Sequence, residues 1–262
     1  MSNPSLSGRR ILVTRPAAQA EALCAAIVAQ GGEPVRLPLL GIGPAEDTAE
    51  LAAIVPRLDK FDLAFFVSPN AIQHALDFIL PLRPWPATLA VATVGKGSAA
   101  SLHARGFDRV ISPPAGFDSE AVLALDAFSA SRVVGRKVLI LRGNGGRPLL
   151  GETLRARHAQ VEYVSCYRRW TMTYAEDELT ALVGALDALT LTSTEAVAPF
   201  AAQLQGERVA VLRRLPVFVP HERIAEAARG AGFATVVTTA PADAGLLAGM
   251  ASYFSNPSNS LA

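Results

Sequence analysis

Short apolar runs alternate with longer Ala- and Leu-rich stretches of helical period along almost the whole chain. RILVT (10–14), EPVRLPLL (33–40), DLAFFV (62–67), LAVATV (89–94) and RVISP (109–113) have the length and composition of buried strands. A second series follows: KVLIL (137–141), VEYVSCY (161–167), ALTLT (188–192), LPVFVP (215–220) and ATVVTT (234–239). Between them, stretches such as AQAEALCAAIVAQGG and HERIAEAARGAG read as helices that end in glycine. This alternation predicts an α/β fold with parallel sheets.

The two series correspond in order. Ile11 and Arg15 align with Val138 and Arg142, Ser68 aligns with Ser193, and GFDRVIS aligns with GFATVVT. So long a period indicates a duplicated α/β domain rather than a solenoid, and hence two similar sheets with a cleft between them. The junction of the repeats falls at SASRVVGRK (129–137).

Each distinctive polar cluster follows directly on an apolar run. Thr14-Arg15-Pro16, Ser68-Pro69-Asn70, Gly95-Lys96-Gly97-Ser98, the loop RGNGGR (142–147), Thr192-Ser193-Thr194 and His221-Glu222-Arg223 all stand there. In open parallel sheets this is the ligand-binding edge. Each cluster also opens a helix, whose free N–H groups and dipole favour anions. Capping alone accounts for Ser68, Ser98, Ser193 and Thr194, and for His221, while Pro16, Pro69 and Pro148 suit first-turn positions. The recurrence of Arg15 as Arg142 at the same strand end goes beyond capping. In the loop, Gly143, Gly145 and Gly146 free the backbone for close approach, and Arg142 and Arg147 suit an anionic ligand.

Composition narrows the ligand. The 262 residues are 50% hydrophobic and 18% charged, with 24 Lys plus Arg against 23 Asp plus Glu. A net charge of +1 lacks the basic footprint of a nucleic-acid binder, so any anion is held by local groups. Cys24 and Cys166 have no metal-ligand spacing and read as buried small hydrophobes in a reducing cytoplasm. No apolar run approaches the roughly 20 residues of a membrane span. The opening MSNPSLSGRR has no signal-like apolar region, and the tail SNPSNSLA reads as disordered. The expectation is a soluble, cytoplasmic protein.

Enzyme templates do not fit. GNGGRP is not the dinucleotide fingerprint and VGKGSA lacks the upstream glycine of a Walker A loop, which weakens a nucleotide-dependent transferase. There is no G-x-S-x-G, H-E-x-x-H or Cys–His cluster. None of His74, His103, His158 and His221 has an evident acid or nucleophile beside it in sequence. The turns suit holding a multiply anionic molecule through N–H groups and hydroxyls.

Taken together, ILVTRP, GGEPVRLPLL, FFVSPNAI, VGKGSAASLHARGF, VLILRGNGGRPLLGETL, VEYVSCYRR, LTSTEAV and VPHERIAEAARGAGF resemble the uroporphyrinogen-III synthase family, bacterial branch, over residues 10–250. Val67 and Ser98 stand where threonine is common in the family, and His158 where glycine ends a helix. The resemblance implies two α/β domains joined by two extended β-segments, with the active site in the cleft. The domains then cross the repeats: 1–39 plus 168–262 form one, 40–167 the other. The stretches EPVRLPLLGIG and VEYVSCYRRWTM bridge them.

The family reaction begins with hydroxymethylbilane, a linear tetrapyrrole with eight carboxylates. Loss of the ring A hydroxyl gives an azafulvene cation; ring D attacks through its substituted carbon, forms a spiro intermediate, fragments and recloses inverted. The resemblance implies Tyr167 as proton donor to the leaving hydroxyl, with a hinge-packing aromatic as the alternative role. Strand alternation would put Tyr167 on one face with Tyr163 and Ser165, and Val164 and Cys166 on the other. Substrate carboxylates would be held by Arg15, Ser68, Asn70, Gly95, Lys96, Ser98, Arg142, Gly143, Arg147, Ser193, Thr194 and His221. No cofactor or metal is implied, and no nucleic-acid or membrane partner; the expected form is a monomer. The rival reading is a non-catalytic two-domain binding protein for a tetrapyrrole or other polycarboxylate.

Overall fold

A computed structural model describes residues 5–256 apart from Phe117. Most of the tail read as disordered therefore lies outside the described residues, as do the first four residues; Ser255 closes the helix Ala242–Ser255. Eleven strands are described: β1 (Arg10–Val13), β2 (Glu33–Arg36), β3 (Leu40–Pro44), β4 (Leu63–Phe66), β5 (Ala90–Thr93), β6 (Val110–Ile111), β7 (Lys137–Gly143), β8 (Gln160–Thr171), β9 (Ala188–Thr190), β10 (Pro216–Val219) and β11 (Thr235–Thr238). They form two sheets, ordered β11-β10-β9-β1-β2 and β3-β8-β7-β4-β5-β6. The pairings from β1 to β2, β1 to β9, β9 to β10 and β10 to β11 are parallel. So are those joining β8, β7, β4, β5 and β6.

EPVRLPLL is not one strand. It breaks at Leu37–Leu39, so that β2 closes one sheet and β3 opens the edge of the other. Two compact units result, Met1–Gly41 with Trp170–Ala262, and Ile42–Arg169. The junction at 129–137 contains the short helix Ala130–Val133, inside the second unit.

The core strands are apolar on both faces because helices cover both. In the first unit, Ile11 and Val13 join the helices Ala17–Ala29 and Ala242–Ser255 in one buried cluster, while Leu12 joins Thr194–Gln203 and Glu222–Gly230 in another. In the second, Ala64 and Phe66 meet the helix Pro69–Ile79, whereas Leu63 and Phe65 meet Leu149–Ala156. Period-two alternation divides each strand in this way. Helix ends follow local rules: Gly31 (φ 81°) and Gly232 (φ 88°) end two of them, and His158 adopts φ 63° after Leu149–Ala156. Pro69 is a first-turn proline, but Pro16 and Pro148 occupy N-cap positions instead.

The strand orders place a topological switch in each unit. In the first it lies between β1 and β9, whose following helices cover opposite faces. In the second it lies between β7 and β4 for the same reason. The repeats are thus spliced: β1–β2 and β9–β11 build the first unit's sheet, β3–β6 and β7–β8 the second's. No helix among the described residues is long and apolar enough to cross a membrane.

Candidate active site

In the second unit, parallel pairing brings the ends of β4, β5 and β7 to one sheet edge, and with them Ser68, Gly95–Ser98 and the loop 142–147. Ser68 has extended backbone, and its Oγ accepts the Ala71 N–H at 3.2 Å, capping Pro69–Ile79. Its Oγ also lies 3.2 Å from the Tyr167 hydroxyl. Asn70 is half-buried in the first turn. Gly95 caps Lys96–His103 without a side chain; Ser98 is buried inside that helix and is not its cap, while Lys96 is exposed.

Tyr167 does not lie where alternation puts it. Ser165 faces Arg142, but the next residue of β7, Gly143, faces Tyr167, so Cys166 is the extra residue of a β-bulge. After the bulge Tyr167 joins Val164 and Cys166 in the cluster containing Ala71 and Ile72, while Tyr163 packs against the opposite cluster. The phenol ring is 5% exposed and stacks on His74, with centroids 5.9 Å apart and planes at 18°. A Cβ on Gly143 would lie 2.7 Å from its Cζ. Asn144 donates its N–H to the Tyr167 carbonyl at 3.1 Å, and its side chain holds the Arg169 backbone at both ends (2.7 and 3.0 Å). Burial lowers the His74 pKa, partly offset by the Asp77 charge, and pushes the Cys166 thiol up to about 12. Cys24 is likewise a free, buried thiol.

The loop arginines are engaged within the protein. Gly145 (φ 117°) and Gly146 (φ 109°) turn the chain back so that Arg142 Nη2 donates to the Gly146 carbonyl at 3.2 Å. The Arg142 guanidinium lies 5.0 Å from the centre of the Tyr163 ring, which puts it on the face opposite Tyr167. Arg147 makes two bonds to the exposed Glu120 carboxylate, at 3.1 and 2.5 Å.

The first unit gathers Arg15, Ser193, Thr194 and His221 at its own strand carboxyl ends. Arg15 pairs with Asp243 at 2.5 Å. Ser193 stands at the N-cap of Thr194–Gln203 without a side-chain bond. The Thr194 hydroxyl oxygen is buried with no partner among the described residues. His221 Nδ1 accepts the Arg223 N–H at 3.1 Å, a capping role. Beneath them the Thr14 hydroxyl donates to the Thr190 carbonyl (2.5 Å) and Thr190 to that of Leu12 (3.1 Å), tying the switch strands together.

Sequence reasoning passed over His74, Asn144 and Asp243. His74 follows Ser68 on the same helix, a weak clue; Asn144 sits in the loop already singled out; Asp243 had no local signal.

The fold and these edges define a class: a doubly wound α/β protein of two units, whose chemistry-bearing turns gather at strand carboxyl ends beside a switch point. Comparison with known proteins is more specific. The family model described as uroporphyrinogen-III synthase HemD matches residues 21–248. The uroporphyrinogen-III synthase of Escherichia coli is 30% identical over 237 residues, covering 89% of this chain and 96% of that protein. The one from Salmonella typhimurium is 34% identical over 238 residues, with coverage of 89% and 96%. Among solved structures, a mutant Thermus thermophilus uroporphyrinogen III synthase matches with TM-score 0.59 at 16% identity, covering 92% of this chain and 97% of that one. The Helicobacter pylori uroporphyrinogen-III synthetase matches with TM-score 0.60 at 14% identity, with the same coverage. The two structures share the fold; the sequence matches carry the family. This chain belongs to the uroporphyrinogen-III synthase family.

Proposed function

We propose that this chain is a uroporphyrinogen-III synthase that closes hydroxymethylbilane with loss of water and inversion of ring D. The observation that carries the site assignment is the Tyr167 hydroxyl held 3.2 Å from Ser68 beside the β4/β7 switch point. The Tyr167 phenol gives its proton to the departing hydroxyl, which leaves as water. Ring D then attacks the resulting cation through its substituted carbon. After fragmentation and reclosure, the proton released from the newly bonded ring carbon restores the phenol. Ser68 Oγ already accepts from Ala71, so its own hydrogen is available to the phenol oxygen.

Most of the task is holding the substrate in the fold that favours inversion. Orientation of this kind is worth up to roughly 7–11 kcal/mol in favourable cases. In the second unit, carboxylates bind at the helix N-termini after β4, β5 and β7, through the backbone at Asn70, Gly95 and Gly143 and through Lys96; in the first, they bind after β9 through Ser193 and the unpartnered Thr194 hydroxyl. Arg15, Arg142, Arg147 and His221 reach a substrate carboxylate only by exchanging their present partners. The protein acts as a cytoplasmic monomer.

Purified protein supplied with hydroxymethylbilane, without added metal or nucleotide, is expected to give the type III isomer. Only the type I isomer from folded protein would overturn the assignment. Saturable tetrapyrrole binding without turnover would overturn it equally.

A further inference from the structure

We propose that Gly143 is a positioning residue for Tyr167: the missing side chain at the end of β7 leaves the space in which the phenol ring lies, keeping its hydroxyl on Ser68. The inference builds on the reading of Tyr167 as proton donor. Gly145 and Gly146 need glycine for their positive φ, but Gly143 does not occupy the left-handed region. A backbone requirement therefore does not explain glycine there. Space does. The three atoms nearest a Cβ built on Gly143 all belong to the Tyr167 ring: Cζ at 2.7 Å, Cε2 at 2.9 Å and Cε1 at 3.1 Å.

The ring cannot simply swing away. His74 stacks on it, the hydroxyl is anchored at Ser68, and the Asn144 N–H holds the Tyr167 carbonyl. The bulge at Cys166 sets Tyr167 opposite Gly143 and is itself pinned by the Cys166 thiol, which donates to the Arg142 carbonyl at 3.3 Å. An added methyl must displace the phenol or part β7 from β8. Gly143 thereby leaves its backbone to a substrate carboxylate, while its lack of a side chain makes it the floor under the proton donor.

Three measurements test this. Gly143→Ala is expected to lower kcat by as much as Tyr167→Phe at most, roughly tenfold to a few hundredfold, with KM little changed. In a Tyr167→Phe background the same change should cost no further activity; losses that multiply would mean that the added methyl acts other than through the phenol, overturning the proposal. In a stability cycle, Gly143→Ala should destabilise the wild type but be nearly neutral beside Tyr167→Ala, where the ring is gone. Equal destabilisation in both backgrounds overturns it. If Gly143→Ala alone does not fold, the double variant should, and its failure to fold is equally fatal. With ¹³C-labelled tyrosine, Gly143→Ala should shift the Tyr167 resonance and leave that of Tyr253 in place; an unmoved Tyr167 signal counts against the proposal. Wild-type turnover in Tyr167→Phe would instead remove the proton-donor reading, and the stability cycle would still decide whether Gly143 seats the ring.

Discussion

At the end of β1 stand Arg15 and Pro16, in the places that Arg142 and Gly143 hold at the end of β7, and there the two units part company. Their neighbouring strands are in matching register: β1 pairs Arg10 with Glu33, and β7 pairs Lys137 with Gln160. Yet β2 is an edge strand that tolerates Pro34 and breaks before Pro38, whereas β8 has β3 on its other side and runs on to Thr171. The longer β8 has room for a bulge, and the bulge delivers Tyr167 onto Gly143. In the first unit a proline fills that position and Arg15 is paired with Asp243. One duplicated scaffold thus yields two strand edges of different character. The second unit's edge carries a buried phenol hydrogen-bonded to Ser68, the proposed reacting group; the first carries an unpartnered Thr194 hydroxyl and an uncapped helix N-terminus at Ser193.

Four experiments press on this comparison. The largest effect concerns how the units are assembled. Residues 42–169 contain both hydrophobic clusters of the second unit and are expected to fold cooperatively alone. Residues 1–128, the first repeat, leave β4 without β7 and should not. Circular dichroism with urea unfolding decides; a cooperative transition in 1–128 with native-like helix content would show that the repeats, rather than the spliced units, are the folding units.

Next, Tyr167→Phe should lower turnover by roughly tenfold to a few hundredfold, at the low end of general acid effects, with product affinity unchanged. The product should still be type III, because substrate folding sets which carbon attacks. A loss of activity matched by a loss of thermal stability would make Tyr167 a packing residue.

The two serines offer a smaller contrast. Ser68 makes a capping bond and Ser193 makes none. Ser68→Ala is therefore expected to cost about 1 kcal/mol of stability, and Ser193→Ala a few tenths at most. Equal costs in chemical denaturation would erase the distinction drawn between the two switch points.

The smallest effect is the pH response of the stack on Tyr167. Burial holds His74 below the usual histidine value of 6.5, so the unfolded chain takes up a proton first as pH falls. The stabilisation is complete above 6.5 and is lost as pH drops through the lowered native value. His74→Phe keeps an aromatic partner and removes the titration, so its stability should vary less with pH between 6.5 and 5, roughly. An unchanged pH slope would show that His74 is solvated.

The alternation of apolar runs and helical stretches was enough for the α/β class, the duplication and the placing of polar turns at strand ends, because burial on both faces forces near-continuous apolar strands. The capping at Ser68 was legible too, since it is a bond between residues three apart. Partners distant in sequence were not. Asp243 for Arg15 and Glu120 for Arg147 are set by which helices pack beside each strand end. The face of Tyr167 was read wrongly for a related reason. Period-two counting assumes an unbroken ladder, and the extra residue at Cys166 exists only relative to β7.

By itself the sequence determined what is written locally: strand, helix, cap and turn, each fixed by side-chain polarity and backbone freedom over a few residues. Only the tertiary structure decided that EPVRLPLL breaks between two sheets, that β8 bulges against β7, and that Gly143 lies beneath the Tyr167 ring. Those outcomes depend on register and packing between segments far apart in the chain, and steric fit of that kind leaves no periodic mark on any one of them.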